Sequence, residues 1–317
     1  MDYHAQATHF RQMYPVLKAA LASHSPRLVC LRLSCPLEIS QDVFSYQFPH
    51  LQELELRIDG IKSLSNQSTL IREAVVPFLL KLRANLSALT LDVVASEESF
   101  PQASLLHQLV SNLDYYPKLT KFSITVSELE LSQDSSGLDA FFSMHTPNLS
   151  SFSFHISSSP DFRWRDAQSQ ESPISIFNHL LPSLTILSFD IPALCLQRLK
   201  FPNTPSPHSP TNFGYPHYVA SHLRNLVELS LQGYYLTPDD FSSIFSTPSA
   251  APHLRKLSIC LLHFDSSIAK VLEKAAPQLQ KLSLTFLSFI YFPTKHVSRF
   301  FLRSWRWLMS LSAYDIP

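Results

Sequence analysis

Residues 251–260 read APHLRKLSIC, and residues 276–285 read APQLQKLSLT. Each copy carries Leu-x-x-Leu-x-Leu, with Ile or Phe allowed at the later positions. In the first copy Leu257 and Ile259 fall on one face of a short strand, and Lys256 and Ser258 on the other, because side chains alternate along an extended chain. Leu254 turns inward where the strand begins. Pro252 ends whatever helix precedes it and brings no N–H that would go unpaired there.

The pattern recurs along the chain. Its first leucines are Leu28, Leu51, Leu86, Leu119, Leu149, Leu184, Leu226, Leu254, Leu279 and Leu308. The spacing runs from 23 residues (Leu28 to Leu51) to 42 (Leu184 to Leu226). Seven copies have a proline two residues earlier: Pro26, Pro49, Pro117, Pro147, Pro182, Pro252 and Pro277. Repeats of this size predict a solenoid, since one unit cannot bury its apolar face but a stack can.

Between the strands the apolar period lengthens to that of a helix. Ile71, Val75, Phe78, Leu79 and Leu82 share one helical face. So do Leu105, Leu106, Leu109 and Leu113, and again Ile268, Val271, Leu272 and Ala275. Asp265 and Thr237 are placed as N-caps, the latter with Pro238 at the first helical position. The expected fold class is α/β, with parallel strands alternating with helices. Residues 1–25 are expected to form an N-terminal capping helix. Residues 26–317 form the solenoid, with a proline-rich loop insertion at 201–216.

Composition removes several functions. Lys plus Arg and Asp plus Glu each number 25, which argues against a general nucleic-acid binder. The four glycines (Gly60, Gly137, Gly214 and Gly233) are scattered. That excludes the clustered glycines of phosphate-binding loops, dinucleotide turns and nucleophile elbows. Four cysteines are too few for a disulfide framework in a chain of 317 residues and read as free buried thiols. A reducing compartment, cytoplasm or nucleus, is therefore expected. The polar N-terminus does not read as a signal peptide, and no apolar run reaches the length of a membrane span. The 14 histidines show no HExxH, and no paired Cys-x-x-Cys occurs. No catalytic residue, cofactor or metal site is predicted, and the chain is read as non-enzymatic.

Binding is expected on the exposed strand face. Its central column reads Arg32, Glu55, Thr90, Ser123, Ser153, Ser188, Ser230, Ser258, Ser283 and Ser312. The column before it reads Cys30, Glu53, Ala88, Lys121, Ser151, Ile186, Glu228, Lys256, Lys281 and Ser310. The column after it reads Arg57, Asp92, Thr125, His155, Asp190, Gln232, Cys260 and Thr285. Glu53, Glu55, Arg57, Lys121, Ser123, His155, Asp190, Glu228, Gln232, Lys256, Ser258, Lys281 and Ser283 are the candidate partner-binding residues. Lys256 and Lys281 form a basic spot on adjacent strands. Serine in these columns equally suits a crowded parallel sheet with no ligand.

Three further stretches stand out. In the loop at 201–216, Thr204, Ser206 and Ser209 each precede proline and are candidate phosphorylation sites. Trp164, in FRWRD at 162–166, reads either as a loop residue or as an interface anchor. SRFFLRSWRW at 298–307 is amphipathic, with Arg299, Arg303 and Arg306 opposite Phe300, Phe301, Trp305 and Leu308. It reads either as a packed helix or as a contact for an anionic partner or membrane surface.

The Leu-x-x-Leu-x-Leu strand followed by a helix resembles the leucine-rich repeat. The copies cover residues 26–317. The usual Asn or Cys three residues after the third leucine is missing: Pro36, Asp59, Val94, Ser127, Ser157, Pro192, Tyr234, Leu262, Leu287 and Pro317 stand there. Irregular, proline-preceded repeats look most like the leucine-rich regions of fungal F-box-type proteins. The resemblance implies a leucine-rich-repeat solenoid of about ten irregular repeats. Its curved parallel β-sheet would line a concave face, with helices on the convex face and a protein partner held on the strands. It also implies an alternative: the substrate-recognition part of a ubiquitin ligase, whose adaptor-binding module is missing or on another chain. No F-box module is found in the residues before the first repeat. A small hydrolase on the loops is a third reading. The final copy, LMSLSAYDIP at 308–317, is expected to mark a truncated or divergent gene product.

Overall fold

The computed structural model describes residues 3–34, 42–59, 67–94, 105–127, 136–157, 181–192, 214–247, 249–289 and 308–313. The chain divides into two compact units, residues 1–145 and 146–317.

The first unit opens with helix α1 (Tyr3–His24). The Asp42 carboxylate ties it down, accepting hydrogen bonds from Tyr14 Oη (2.7 Å) and Lys18 Nζ (3.0 Å). Four strands follow: β1 (Cys30–Ser34), β2 (Glu53–Asp59), β3 (Ala88–Val94) and β4 (Lys121–Ser127). They pair in sequence order and all parallel. Between β2 and β3 lie α2 (Gln67–Leu70), a π-helical turn (Ile71–Val75) and α3 (Val76–Leu82). The wide turn has a local cause. Pro77 has no N–H, and in an unbroken α-helix its ring would press on the Glu73 carbonyl. Widening the turn relieves that clash, and Val76 N–H donates to the Ile71 carbonyl instead. Ile71, Val75, Phe78, Leu79 and Leu82 stay buried on one face, as their spacing requires.

After β3 comes α4 (Leu105–Val110), and after β4 comes α5 (Ser136–His145). Leu113 is buried too, but lies beyond the end of α4. Gly137 lets α5 approach α4 closely: a Cβ there would stand 3.0 Å from both the backbone nitrogen and Cβ of Ser111. Phe122, Phe141 and Phe142 pack together behind β4, with ring centroids 4.9–6.4 Å apart.

The second unit holds six parallel strands in sequence order. They are β5 (Ser151–Ser157), β6 (Ile186–Asp190), β7 (Glu228–Leu236), β8 (Lys256–Phe264), β9 (Lys281–Phe289) and β10 (Leu308–Ala313). Its helices are α6 (Gly214–His222), α7 (Pro238–Ile244) and α8 (Ser266–Ala275). Both expected N-caps are formed. Asp265 accepts from Ser267 N and Ile268 N. Thr237 and Asp240 make a reciprocal capping box.

The repeat pattern maps onto these strands. The first leucines Leu51, Leu86, Leu119, Leu149, Leu184, Leu226 and Leu254 are wholly buried. In the next residue of seven repeats, one carbonyl accepts two amides of the following repeat. Val227 O, for instance, takes Arg255 N at 2.8 Å and Lys256 N at 3.1 Å. A side-chain ladder runs beside it. Asn85 donates to the Pro49 carbonyl at 2.8 Å, Ser183 to Pro147 at 2.9 Å, and Asn225 to Pro182 at 3.1 Å. The asparagines missing after the third leucine thus have counterparts before the first, where the proline carbonyls need a donor.

Two buried histidines make the same bridge. Nδ1 of His145 lies 2.7 Å from the Phe141 carbonyl, and its Nε2 lies 2.9 Å from Tyr116 N. Nδ1 of His222 lies 2.8 Å from the Tyr218 carbonyl, and its Nε2 lies 3.1 Å from Leu181 N. A carbonyl can only accept and a backbone N–H can only donate. The network therefore assigns the proton to Nδ1, a neutral ring at the end of a helix that caps the preceding repeat.

Several expectations need correction. The loop placed at 201–216 cannot extend to its end, because α6 starts at Gly214 and buries Tyr215 and Pro216. A helix beginning with glycine and carrying an early proline gave too weak a periodic signal. Cys30 is exposed, unlike Cys260, because it lies on the outward side of β1. In β10, Ser310 and not Ser312 pairs with Ser283, since Leu308 sits beside Lys281. The displacement is two residues, which keeps the faces in phase. Trp164, the three proline-directed sites and residues 298–307 lie outside the described residues.

Burial lowers the folded-state pKa of His145 and His222, against the smaller opposing effect of their carbonyl partners. The unfolded chain then binds more protons on the acid side of the ordinary histidine value of about 6.5. Stability should be full above that pH and fall as pH drops toward the depressed folded values. Replacing either histidine with leucine should cost about 1–3 kcal/mol at pH near 7.5, from an unpaired buried N–H. It should also flatten the acid-side slope. Urea unfolding followed across pH would show both effects.

Candidate functional site

In each unit the helices cover one face of the strands, and the alternate strand residues on the other stay open. In the first unit Glu53, Glu55, Arg57 and Lys121 are exposed and Ser123 is half-buried. Register places Arg32 beside Glu55, Glu55 beside Thr90, and Thr90 beside Ser123. Charges meet across strands: Arg32 Nε lies 3.1 Å from Glu55, and Arg57 Nε lies 3.8 Å from Asp92. Pairs this exposed contribute little stability but neutralise the face locally.

The second unit carries a row of hydroxyls. Ser153 pairs with Ser188, Ser188 with Ser230, Ser230 with Ser258, and Ser258 with Ser283. His155 stands 3.8 Å from Asp190. Glu228 and Lys256 form a 2.9 Å ion pair, so the basic spot expected from Lys256 and Lys281 is partly neutralised from the side of β7. Lys281 has no ion pair among the described residues.

The row of Asp190, Gln232, Cys260 and Thr285 departs from a regular ladder. Leu231 pairs with Ile259, but the next pair is Leu236 with Leu261. Strand β7 therefore spends four residues where β8 spends one, a large bulge in the ladder. Gly233 makes it possible, with φ +78°. A Cβ at this glycine would come within 2.7 Å of Asp190 Oδ1 and 2.8 Å of the Ile191 backbone. The bulge aims Gln232 across β8: its Nε2 donates to Ser258 Oγ at 2.9 Å, and its Oε1 accepts from Cys260 Sγ at 3.1 Å. Cys260 was expected on the open face, but it is buried under this contact. Burial pushes its thiol up, which disfavours the reactive thiolate.

Sequence reasoning missed the residues behind the bulge. Tyr234 Oη donates to Asp240 Oδ2 at 2.8 Å, anchoring the bulge to the capping box of α7. The buried Tyr215 ring meets Tyr234 edge-on, with centroids 6.3 Å apart. The available signal was Gly233 itself, an isolated glycine inside a strand pattern. Among the described residues, no group of three or more His, Cys, Asp or Glu could hold a metal ion. No described helix is long and apolar enough to cross a membrane.

No family model matches the chain, and no curated protein matches it. Among solved structures it is similar to the crystal structure of a Bacteroides fragilis protein determined as a structural-genomics target. The two share 13% identity over 80% of this chain and 73% of that one, with a TM-score of 0.37.

Gly233→Ala should lower the unfolding free energy by about 1–3 kcal/mol, since it combines a positive φ with backbone overlap. Ser230→Ala, on the same strand before the bulge, should change it by less than about 0.5 kcal/mol. Denaturant titration of the two variants beside the wild type measures the difference.

Proposed function

We propose that this chain is a non-enzymatic protein-recognition module of leucine-rich-repeat type, which holds a protein partner on its strand face. In this reading the strands line the concave side of a solenoid. The observation that carries it is the register. Repeat after repeat places polar, solvent-reaching residues in aligned columns on one face, while helices occupy the other. Such aligned open columns are how stacked repeats present an extended binding surface. The hydroxyl row and the Gln232 bridge supply donors and acceptors held in place before a partner arrives, which reduces the entropy lost on binding.

A photo-crosslinking side chain placed at Ser123 or Ser283 tests this directly. Each position, tested for its own unit, should give covalent adducts with a reproducible protein partner in extract. Lys270, exposed on α8, should give none with that partner. Adducts arising only from Lys270 would overturn the proposal. A ligase adaptor among the strand-face adducts would assign the module to a ubiquitin-ligase substrate receptor.

A further inference from the structure

The strand face of β8 and β9 carries an unbalanced charge arrangement. Lys256 and Lys281 are direct partners in the register of two adjacent parallel strands. Like charges set opposite each other repel unless an anion lies between them. Lys256 already takes a carboxylate, with Glu228 Oε2 2.9 Å from its Nζ. Lys281 holds no anion among the described residues. The sequence from residue 290 to the end of the next strand offers none, because residues 290–313 contain neither Asp nor Glu. One step along the same strands, Ser258 and Ser283 place two hydroxyls side by side.

The wider charge distribution points the same way. The chain is neutral overall, with 25 basic and 25 acidic residues. Residues 251–317 nevertheless hold nine Lys and Arg (255, 256, 270, 274, 281, 295, 299, 303 and 306) against three Asp and Glu (265, 273 and 315). The C-terminal part is thus at +6, and the balancing −6 lies in residues 1–250. Such asymmetry steers an anionic partner toward one end of the chain.

We propose that the partner presents an acidic peptide segment, whose Asp or Glu carboxylate binds Lys281 and Lys256 above the Ser258 and Ser283 hydroxyls. This rests on the strand-face reading above and gives its partner a chemistry. A discrete carboxylate fits better than a polyphosphate chain. Glu228 stands on the neighbouring strand in the same row, followed by the uncharged Ile186 on the strand beyond. A run of phosphates crossing the strands along that row would meet the Glu228 carboxylate and then no cation. Glu228 thereby acts as an internal competitor, occupying Lys256 until the partner's carboxylate arrives.

Fluorescence anisotropy on the full chain tests the proposal. The probe is a labelled short peptide of alternating Glu and Ser, with a matched Lys–Ser peptide and an oligothymidine as alternatives. The acidic peptide should bind, and added salt should weaken it. Lys281→Glu should lower its affinity by about tenfold, a charge reversal at an exposed contact. Lys270→Glu, the same charge change on α8, should leave it unaltered. Glu228→Gln should raise affinity severalfold by releasing Lys256. Unchanged thermal midpoints would exclude unfolding as the cause. Equal affinity of Lys281→Glu and wild type, an equal loss in Lys270→Glu, or preference for oligothymidine would each overturn the proposal. If the acidic peptide fails to bind while crosslinks from Ser283 persist, the recognition reading stands and the acidic chemistry falls. If both fail, both fall.

Discussion

Seven repeat steps of this structure turn on one carbonyl that serves two amides. Val29, Gln52 and Ser87 do this in the first unit. Ser150, Thr185, Val227 and Arg255 do it in the second. Every one stands immediately after a first leucine. The shared carbonyl starts the parallel ladder at a fixed residue and so sets which side chains point inward. A slip of one residue would turn Leu257 and Ile259 to solvent and bury Lys256. The leucine before the carbonyl and the Asn or Ser ladder beside it make that slip costly, because both depend on the same alignment. Ser87, Thr120 and Thr185 reinforce it, their hydroxyls donating to the carbonyl their own backbone nitrogens already use.

Most of this was legible in the sequence, because it follows from local periodicity. The leucine spacing placed the strands, and Thr237 and Asp265 placed two helix starts through side-chain chemistry that acts over three residues. What was not legible depends on contacts between distant repeats. His145 and His222 look like isolated polar residues at helix ends. Their role appears only when Tyr116 and Leu181, 29 and 41 residues earlier, present amides to them. The shift of β10 was hidden because Leu308 fits the motif by itself, while the sheet fixes register through β9. The bulge in β7 was hidden for a related reason. The isolated Gly233 marks a break in the alternation, but its positive φ and the four residues it takes out of the ladder show only in the pairing with β8.

The candidate site was half legible. Within each unit its columns follow the register from β1 to β4 and from β5 to β9, while β10 is displaced by two residues and Cys260 is buried. Its charges could not be paired from sequence, because a cross-strand partner depends on which rotamer each side chain adopts. Among the described residues the face divides into neutralised pairs, such as Arg32 with Glu55 and Lys256 with Glu228, and Lys281, which has no ion pair there. That division matters for function. Paired charges fix the shape of a surface and discourage the wrong partner, while an unneutralised one attracts the right one.

The account stands on the claim that the repeats stack in the register their leucines dictate. Paired cysteines measure this most directly, in a background whose native cysteines are changed to alanine. Ser188→Cys with Ser230→Cys should form a disulfide on mild oxidation, because register partners on adjacent strands lie within disulfide reach. Ser188→Cys with Gln232→Cys should remain reduced, since that pairing is displaced by two residues. Cross-linking of the displaced pair in preference to the aligned one would contradict the account.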